Sequence, residues 1–506
     1  MIVIGGYADG FQDNSGQAST LDGFRRTLGQ LYDRDAAVHV LPICPSAGDS
    51  GFAPANWSEV RPSLGDWSDV RTLAADRRLI LDGIYNHIGF GHPWVSEVLR
   101  APGLADDRLY VFDDDVDATT APLSPRGDSV LKPYQRVGEV IHLWQTFTPA
   151  GVDVRLDNPE VLAEVIRHLE ILAAAGVWGV RLDAVAYYQK SLQGPVRHAD
   201  GVHQLASKIA GLATERGLDV TAQLDVDEDG IRYFSSPTEA GYSMTDFGYA
   251  VALTCAIATG QAAHLANHVG KVADLRRVVS RCPRNHDGLL LRSKLLDPGT
   301  RSSLLARCRE LGVKVRMEGD APYELNEPGP TLYRLLRPEA DVAQVVELAM
   351  AVTGVLAERA YFYLPFALGC EPVFTDGQAD PRLVNRARIM PSELGQFDSS
   401  GARGRHGLLL EALGWSHNLR TRRPRANRAA ILTVDDGLLY AETRDRRLKF
   451  VANFGKSSAP CPMKLRASEA ALSTSEGVDL SPLSYKLYID DRPVRPVTAT
   501  KPSERK

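Results

Sequence analysis

Short apolar runs alternate with helical patterns along most of the chain. The strand-like runs are Ile2–Ile4, Val38–Ile43, Leu79–Tyr85, Val177–Asp183, Leu218–Val226, Val278–Cys282 and Tyr361–Pro365. Between them lie amphipathic stretches such as Pro159–Ala175. There Asn158 suits the N-cap and Pro159 the first helical position. Val161, Leu162, Val165, Ile166, Leu169 and Leu172 then make one apolar stripe, and Gly176 supplies the stop. Strands alternating with helices predict a parallel sheet covered on both faces, either a closed barrel or an open doubly wound sheet.

Two stretches depart from that rhythm. From His92 to Phe147 the chain is rich in Asp, Pro and Gly and has no clear helical period, as expected of a lid or binding excursion. After Asn427 come short β runs, Ala429–Val434, Leu438–Thr443 and Leu448–Asn453, with turn signals at Asp436–Gly437 and Asp445–Arg446. A small C-terminal β domain is expected there.

Composition narrows the function classes. Lys and Arg total 58 against 63 Asp and Glu, a net charge of −5 over 506 residues. So small a balance predicts neither a nucleic-acid groove nor a polybasic membrane surface. The most apolar long stretch, Val345–Leu368, contains Glu347, Glu358 and Arg359, so no bilayer span is expected. The N-terminus reads as a first strand with no basic leader. The six cysteines, Cys44, Cys255, Cys282, Cys308, Cys370 and Cys461, are scattered with no Cys-x-x-Cys pair. A cytoplasmic protein with reduced thiols is expected.

Candidate chemistry sits at strand ends. In Trp178-Gly-Val-Arg-Leu-Asp183, Arg181 and Asp183 share one strand face. Ile80-Leu-Asp-Gly-Ile-Tyr-Asn-His87 and Arg284-Asn-His-Asp-Gly288 repeat the pattern of polar groups following an apolar run. Each falls at a C-terminal strand end, where parallel barrels place their chemistry. Arg181 beside Asp183 would keep that carboxylate ionised, as a nucleophile requires. No histidine pair has metal-ligand spacing. The run Asp113–Asp115 lacks the spacing and glycine of a calcium loop. Trp94, Trp144, Tyr187 and Tyr188 are either core residues or platforms for a sugar face.

These segments resemble the signature regions of the α-amylase superfamily (glycoside hydrolase family 13). Asp82-Gly-Ile-Tyr-Asn-His87 matches the first region, Gly179-Val-Arg-Leu-Asp-Ala184 the second and Asn285-His-Asp287 the fourth. The stretch Val40–Pro54, then Leu64-Gly-Asp-Trp67, Phe147-Thr-Pro149 with Val152-Asp153, and Asn385-Arg386 are similar to the sucrose phosphorylase branch. The resemblance implies a (β/α)8 TIM barrel with an inserted lid domain after the third strand and a C-terminal β domain. Residues 1–90 and 150–425 would form the barrel, 91–149 the insertion and 426–506 the C-terminal domain. It further implies retaining chemistry on an α-glucoside, with Asp183 as nucleophile and Asp287 as transition-state stabiliser. Asp49, His87, Arg181, His286 and Arg386 would hold the glycosyl ring. No cofactor is expected, since neither substitution step moves electrons. The expected partners are a small sugar or glycosyl phosphate, with phosphate or a non-sugar acceptor.

At the acid/base position the resemblance implies a Glu, and the residue aligned there is Gln223. Asp219, Thr221, Gln223, Asp225 and Asp227 share the polar face of that strand, opposite Leu218, Val220, Ala222, Leu224 and Val226. A carboxamide can donate a hydrogen bond but cannot give up or take a proton. The alternatives are that Asp225 serves instead, that the enzyme is a transferase or phosphorylase needing little proton transfer, that hydrolysis runs by another route, or that the chain is an inactive carbohydrate binder. Ala150 and Gly151 stand where the branch carries glutamines, and Ala387-Arg-Ile389 where it carries His and aromatic residues. Both changes predict a rebuilt leaving-group side.

Overall fold

The computed structural model describes residues 1–489 apart from 14, 33–34, 102–106, 118–119, 126, 226–241, 273–278, 292–295, 314, 319–320, 326–328, 371–387, 393–406, 408, 411–412, 414–428, 436, 444–447, 462–471 and 474–478. Among these residues eight strands close into a parallel barrel in sequence order. They are β1 (Ile2–Gly6), β2 (Ala37–Val40), β3 (Leu79–Gly83), β4 (Gly179–Leu182), β5 (Asp219–Asp225), β6 (Ser243–Thr245), β7 (Val279–Arg281) and β8 (Arg359–Tyr363). β1 pairs with β8 through Ile2 and Ala360, which completes the ring. Of the two architectures that the alternation allowed, the closed barrel is the one formed.

Helices sheath the barrel for reasons the sequence makes plain. The helix Pro159–Ala174 starts where the Asn158 side chain accepts from the Glu160 and Val161 amides, and it buries Val161, Val165, Leu169 and Leu172. Gly176 beyond it has φ 75°, a conformation that side chains rarely adopt. Asp66 caps Trp67–Asp76 in a capping box with Asp69.

The barrel axis is polar where such barrels usually carry bulky branched residues. His39, Ile80, Arg181, Thr221, Arg359 and Tyr361 surround a small internal cavity of about 50 Å³. Arg359 Nη1 donates to Asp219 Oδ2 at 2.8 Å and to Ser243 Oγ at 2.9 Å, and it also reaches Thr221. Asp219 and Thr221 therefore point inward, as their shared face with Gln223 predicts. Tyr361 crosses so close to β1 that a Cβ on Gly5 would lie 1.9 Å from its hydroxyl.

The excursion after β3 is more regular than its composition suggested. It opens with the helix Pro93–Arg100 and contains an antiparallel sheet of Val111–Asp113, Leu131–Arg136 and Glu139–Trp144. A short pair, His87–Gly89 with Gly151–Asp153, ties its root to the barrel rim. After β7 a second sheet of Leu289–Leu290, Val315–Glu318 and Ala321–Leu325 forms, which the sequence pattern did not reveal. The expected C-terminal runs pair as Ala429–Asp435, Leu438–Thr443 and Leu448–Asn453, joined by Ser484–Ile489 and Leu472–Ser473. Buried Arg337 fastens this sheet to the barrel helices, donating to the carbonyls of Ile257 and Phe454 at 2.8 and 3.1 Å.

Candidate active site

The polar groups predicted at strand ends meet around one guanidinium. At the end of β4, Arg181 Nη1 donates to Asp82 Oδ1 at 2.5 Å and to Asp183 Oδ1 at 3.1 Å. Asp82, at the end of β3, has its other oxygen 3.2 Å from His39 Nε2. Burial alone would raise the Asp82 carboxyl, but His39 and then Arg181 draw it well below the usual carboxylate range. The charges of Asp82, Asp183 and Asp287 in turn hold the buried Arg181 above its ordinary value. The site thus keeps a permanent cation beside Asp183, which is only 3% exposed.

Local backbone geometry aims these groups. The Asp183 amide donates to Gly83 O at 3.0 Å, and Ala184 follows at φ 52° before a 3₁₀ turn over Val185–Tyr187. Gln223 Oε1 accepts from that Ala184 amide at 3.0 Å. Its carboxamide is therefore anchored by the oxygen to the residue next to Asp183. On β7's continuation, Asn285 Oδ1 accepts from the Asp287 amide at 3.1 Å, and His286 Nε2 lies 3.6 Å from Asp287 Oδ2.

Phe52 is the residue that sequence reasoning missed. Its ring lies flat against His286, with centroids 5.1 Å apart and planes within 7°, while the Arg181 guanidinium sits 6.0 Å from its centroid. Its carbonyl accepts from His87 Nε2 at 2.6 Å. Since a carbonyl only accepts, Nε2 carries the proton and Nδ1 receives the Asn86 amide at 3.3 Å. Phe52 is positioned by a run of left-handed residues, Gly48 to Gly51, in which even Asp49 and Ser50 have φ of 52° and 54°. Two non-glycine residues so placed cost of order 1 kcal/mol or more each, and such strain gathers at functional sites. The signal available in the sequence was the Gly-Asp-Ser-Gly-Phe run itself.

A second buried cluster supports His87. Asn86 donates to Asp153 at 2.9 Å and accepts from Lys190 at 2.6 Å, and Lys190 pairs with Asp153 at 2.8 Å. Thr146 adds its hydroxyl and amide to Asp153 at 2.6 and 3.0 Å. Burial lowers the Lys190 ammonium and Asp153 partly restores it. Phe147 packs 5.6 Å from His87 and 4.9 Å from Tyr187, whose buried hydroxyl has no hydrogen-bond partner among the described residues. Trp94 is partly buried and packs on Trp57 and His92, and Trp144 and Tyr188 are fully buried.

The structure thus gathers Asp183, Arg181, Gln223, Asp287, His286 and His87, with Asp49 on the turn that carries Phe52. Arg386, the side chain of Asp225, and Asp227 lie outside the described residues. All six cysteines are unpaired. Among the described residues no cluster could hold a metal ion, and no helix is long and apolar enough to cross a membrane.

Comparison with known proteins bears on the family and the fold. Residues 7–227 match the family profile described as the α-amylase catalytic domain. A glucosylglycerate phosphorylase from Allomeiothermus silvanus is 27% identical over 415 residues, covering 78% of this chain and 74% of that protein. A sucrose phosphorylase from Streptococcus mutans is 34% identical over 171 residues, 32% of this chain and 35% of its own. Among solved structures, the sucrose 6F-phosphate phosphorylase of Thermoanaerobacter thermosaccharolyticum superposes with a TM-score of 0.73 at 17% identity, covering 90% of this chain and 93% of that one.

Proposed function

Because the chain belongs to the α-amylase superfamily of glycoside-active enzymes, with phosphorylases among its relatives, we propose that it transfers a glucosyl group through a covalent bond to Asp183, to an acceptor other than water. The carboxylate of Asp183 attacks the anomeric carbon while the bond to the leaving group breaks, and that group departs with the electron pair. A second attack from the opposite face frees Asp183 and restores the original configuration. Arg181 donates to the free Asp183 carboxylate before the first attack and again after the second, and Asp287, whose charge also acts on Arg181, stabilises positive charge developing on the ring.

The observation that carries this reading is the anchored Gln223 carboxamide. With its oxygen on the Ala184 amide, the group at the end of β5 has no proton to release to a departing alkoxide and no basic atom to draw one from water. The phosphate of a glycosyl phosphate leaves without an acid, and phosphate or a carboxylate attacks without a base. Water needs a base most, so hydrolysis is suppressed. The phosphorolytic names of the relatives agree with phosphate as one partner.

The test is incubation with α-glucosyl fluoride, whose leaving group needs no proton, followed by intact-mass measurement. A glucosyl adduct should form and should vanish in Asp183→Asn. Absence of an adduct at every pH and concentration would instead favour a protein that binds carbohydrate without turning it over.

A further inference from the structure

Apart from the catalytic groups, the inserted sheet and the loop following the nucleophile enclose a cavity of about 790 Å³. That volume lies within the ~300–1,000 Å³ usual for small-molecule sites. Its apolar floor includes Tyr110 and Leu192, and its rim carries Asp113, Glu139, Arg155 and Gln193. None of the residues proposed for catalysis or ring binding lines it. Lys190 forms the partition: it borders the cavity, while its ammonium donates to Asn86, Asp153 and the Tyr187 carbonyl on the other side. Three acceptors take all three of its hydrogens, so the partition is fixed before any ligand arrives.

We propose that this cavity is a second, non-catalytic binding site for a neutral, polyhydroxylated ligand, a free sugar or short oligosaccharide. The charges argue for neutrality. Arg136, also in the wall, donates to Glu139 at 2.6 Å, and Arg155 lies over the Tyr110 ring, 5.5 Å from its centroid, opposite exposed Asp113. Acids balance bases, so an anionic ligand finds no net attraction. What remains is a wall that mixes apolar side chains with hydrogen-bond donors and acceptors. A sugar fits that pattern, because its ring presents a C–H face and its hydroxyls both donate and accept. The site is independent of the Asp183 chemistry, so its failure would leave the proposed reaction standing, and the converse holds.

Calorimetric titration of the full-length protein with maltotriose tests this. Binding should persist in Asp183→Asn. It should weaken by about tenfold or more, equivalent to ~1.4 kcal/mol, in Gln193→Trp, which fills the mouth, and in Asp113→Ala, which removes a rim acceptor. Both positions are exposed, and unchanged melting temperatures would show that the variants are folded. Undiminished affinity in the two rim variants, or tighter binding of glucose 6-phosphate than of maltotriose to this cavity, would overturn the proposal.

Discussion

Arg181 is the residue on which the candidate site turns, because a single nitrogen serves both Asp82 and Asp183. A lysine would keep the charge but lose the planar guanidinium that reaches both carboxylates. Arg181→Lys should therefore lower kcat by about 10²-fold, the scale on which single preorganised electrostatic contacts act, with a smaller change in KM. Steady-state kinetics on an activated α-glucoside reads this directly. At Gln223 the direction reverses. Gln223→Glu restores a group that can exchange a proton, and general acid–base catalysis is typically worth ~10²–10⁴-fold. Hydrolysis of α-glucosides should rise, as followed by glucose release, and no rise would place the obstacle on the rebuilt acceptor side.

A buried histidine sets a pH dependence at the same scale. Burial depresses His168 from 6.5 to about 4, and the Tyr85 hydroxyl lies 2.9 Å from its Nδ1. A histidine that is neutral in the fold but free to protonate when unfolded contributes stability fully above pH ~6.5, and that contribution is lost as pH falls toward ~4. Its size is about 3 kcal/mol at most. The melting temperature should decline across that window, and His168→Gln should flatten the decline.

Among the elements, β1 and β5 show what sequence can and cannot convey. The alternation of Asp219, Thr221 and Gln223 with Val220 and Ala222 was readable as a two-faced strand, and the inward contacts of Asp219 and Thr221 to Arg359 match it. The helix Pro159–Ala174 was legible to within one residue, since its cap, stripe and stop are all local signals. The sheet in the excursion after β3 was not. Leu131–Arg136 includes Pro133, and Val111–Asp113 runs into three consecutive aspartates. Their pairing comes from a partner strand and not from their own composition. The importance of Phe52 was hidden for a similar reason, because it arises from stacking against His286, more than two hundred residues away. Nor did sequence reveal that Gly5 makes room for Tyr361. Gly5→Ala would force a Cβ into that ring, and overpacking of this kind costs about 1–3 kcal/mol. Thermal unfolding should show the loss.

At the scale of the whole molecule, the barrel and the C-terminal sheet share one continuous apolar core, and buried polar groups cross it. Arg337, 1% exposed, donates to carbonyls on both sides, and Tyr485 donates to Glu347 at 3.2 Å. Arg337→Met would leave two buried carbonyls without their donor, at a cost of about 2–4 kcal/mol. The melting temperature should fall while kcat of the folded enzyme stays near that of the parent.

Two ion-paired groups, Arg359 with Asp219 and Arg181 with Asp82 and His39, border one cavity inside the barrel, so the scaffold and the candidate site share an interior. Refilling such an interior with grease often hardens a protein. Here an engineer who did so would be trading turnover for heat tolerance.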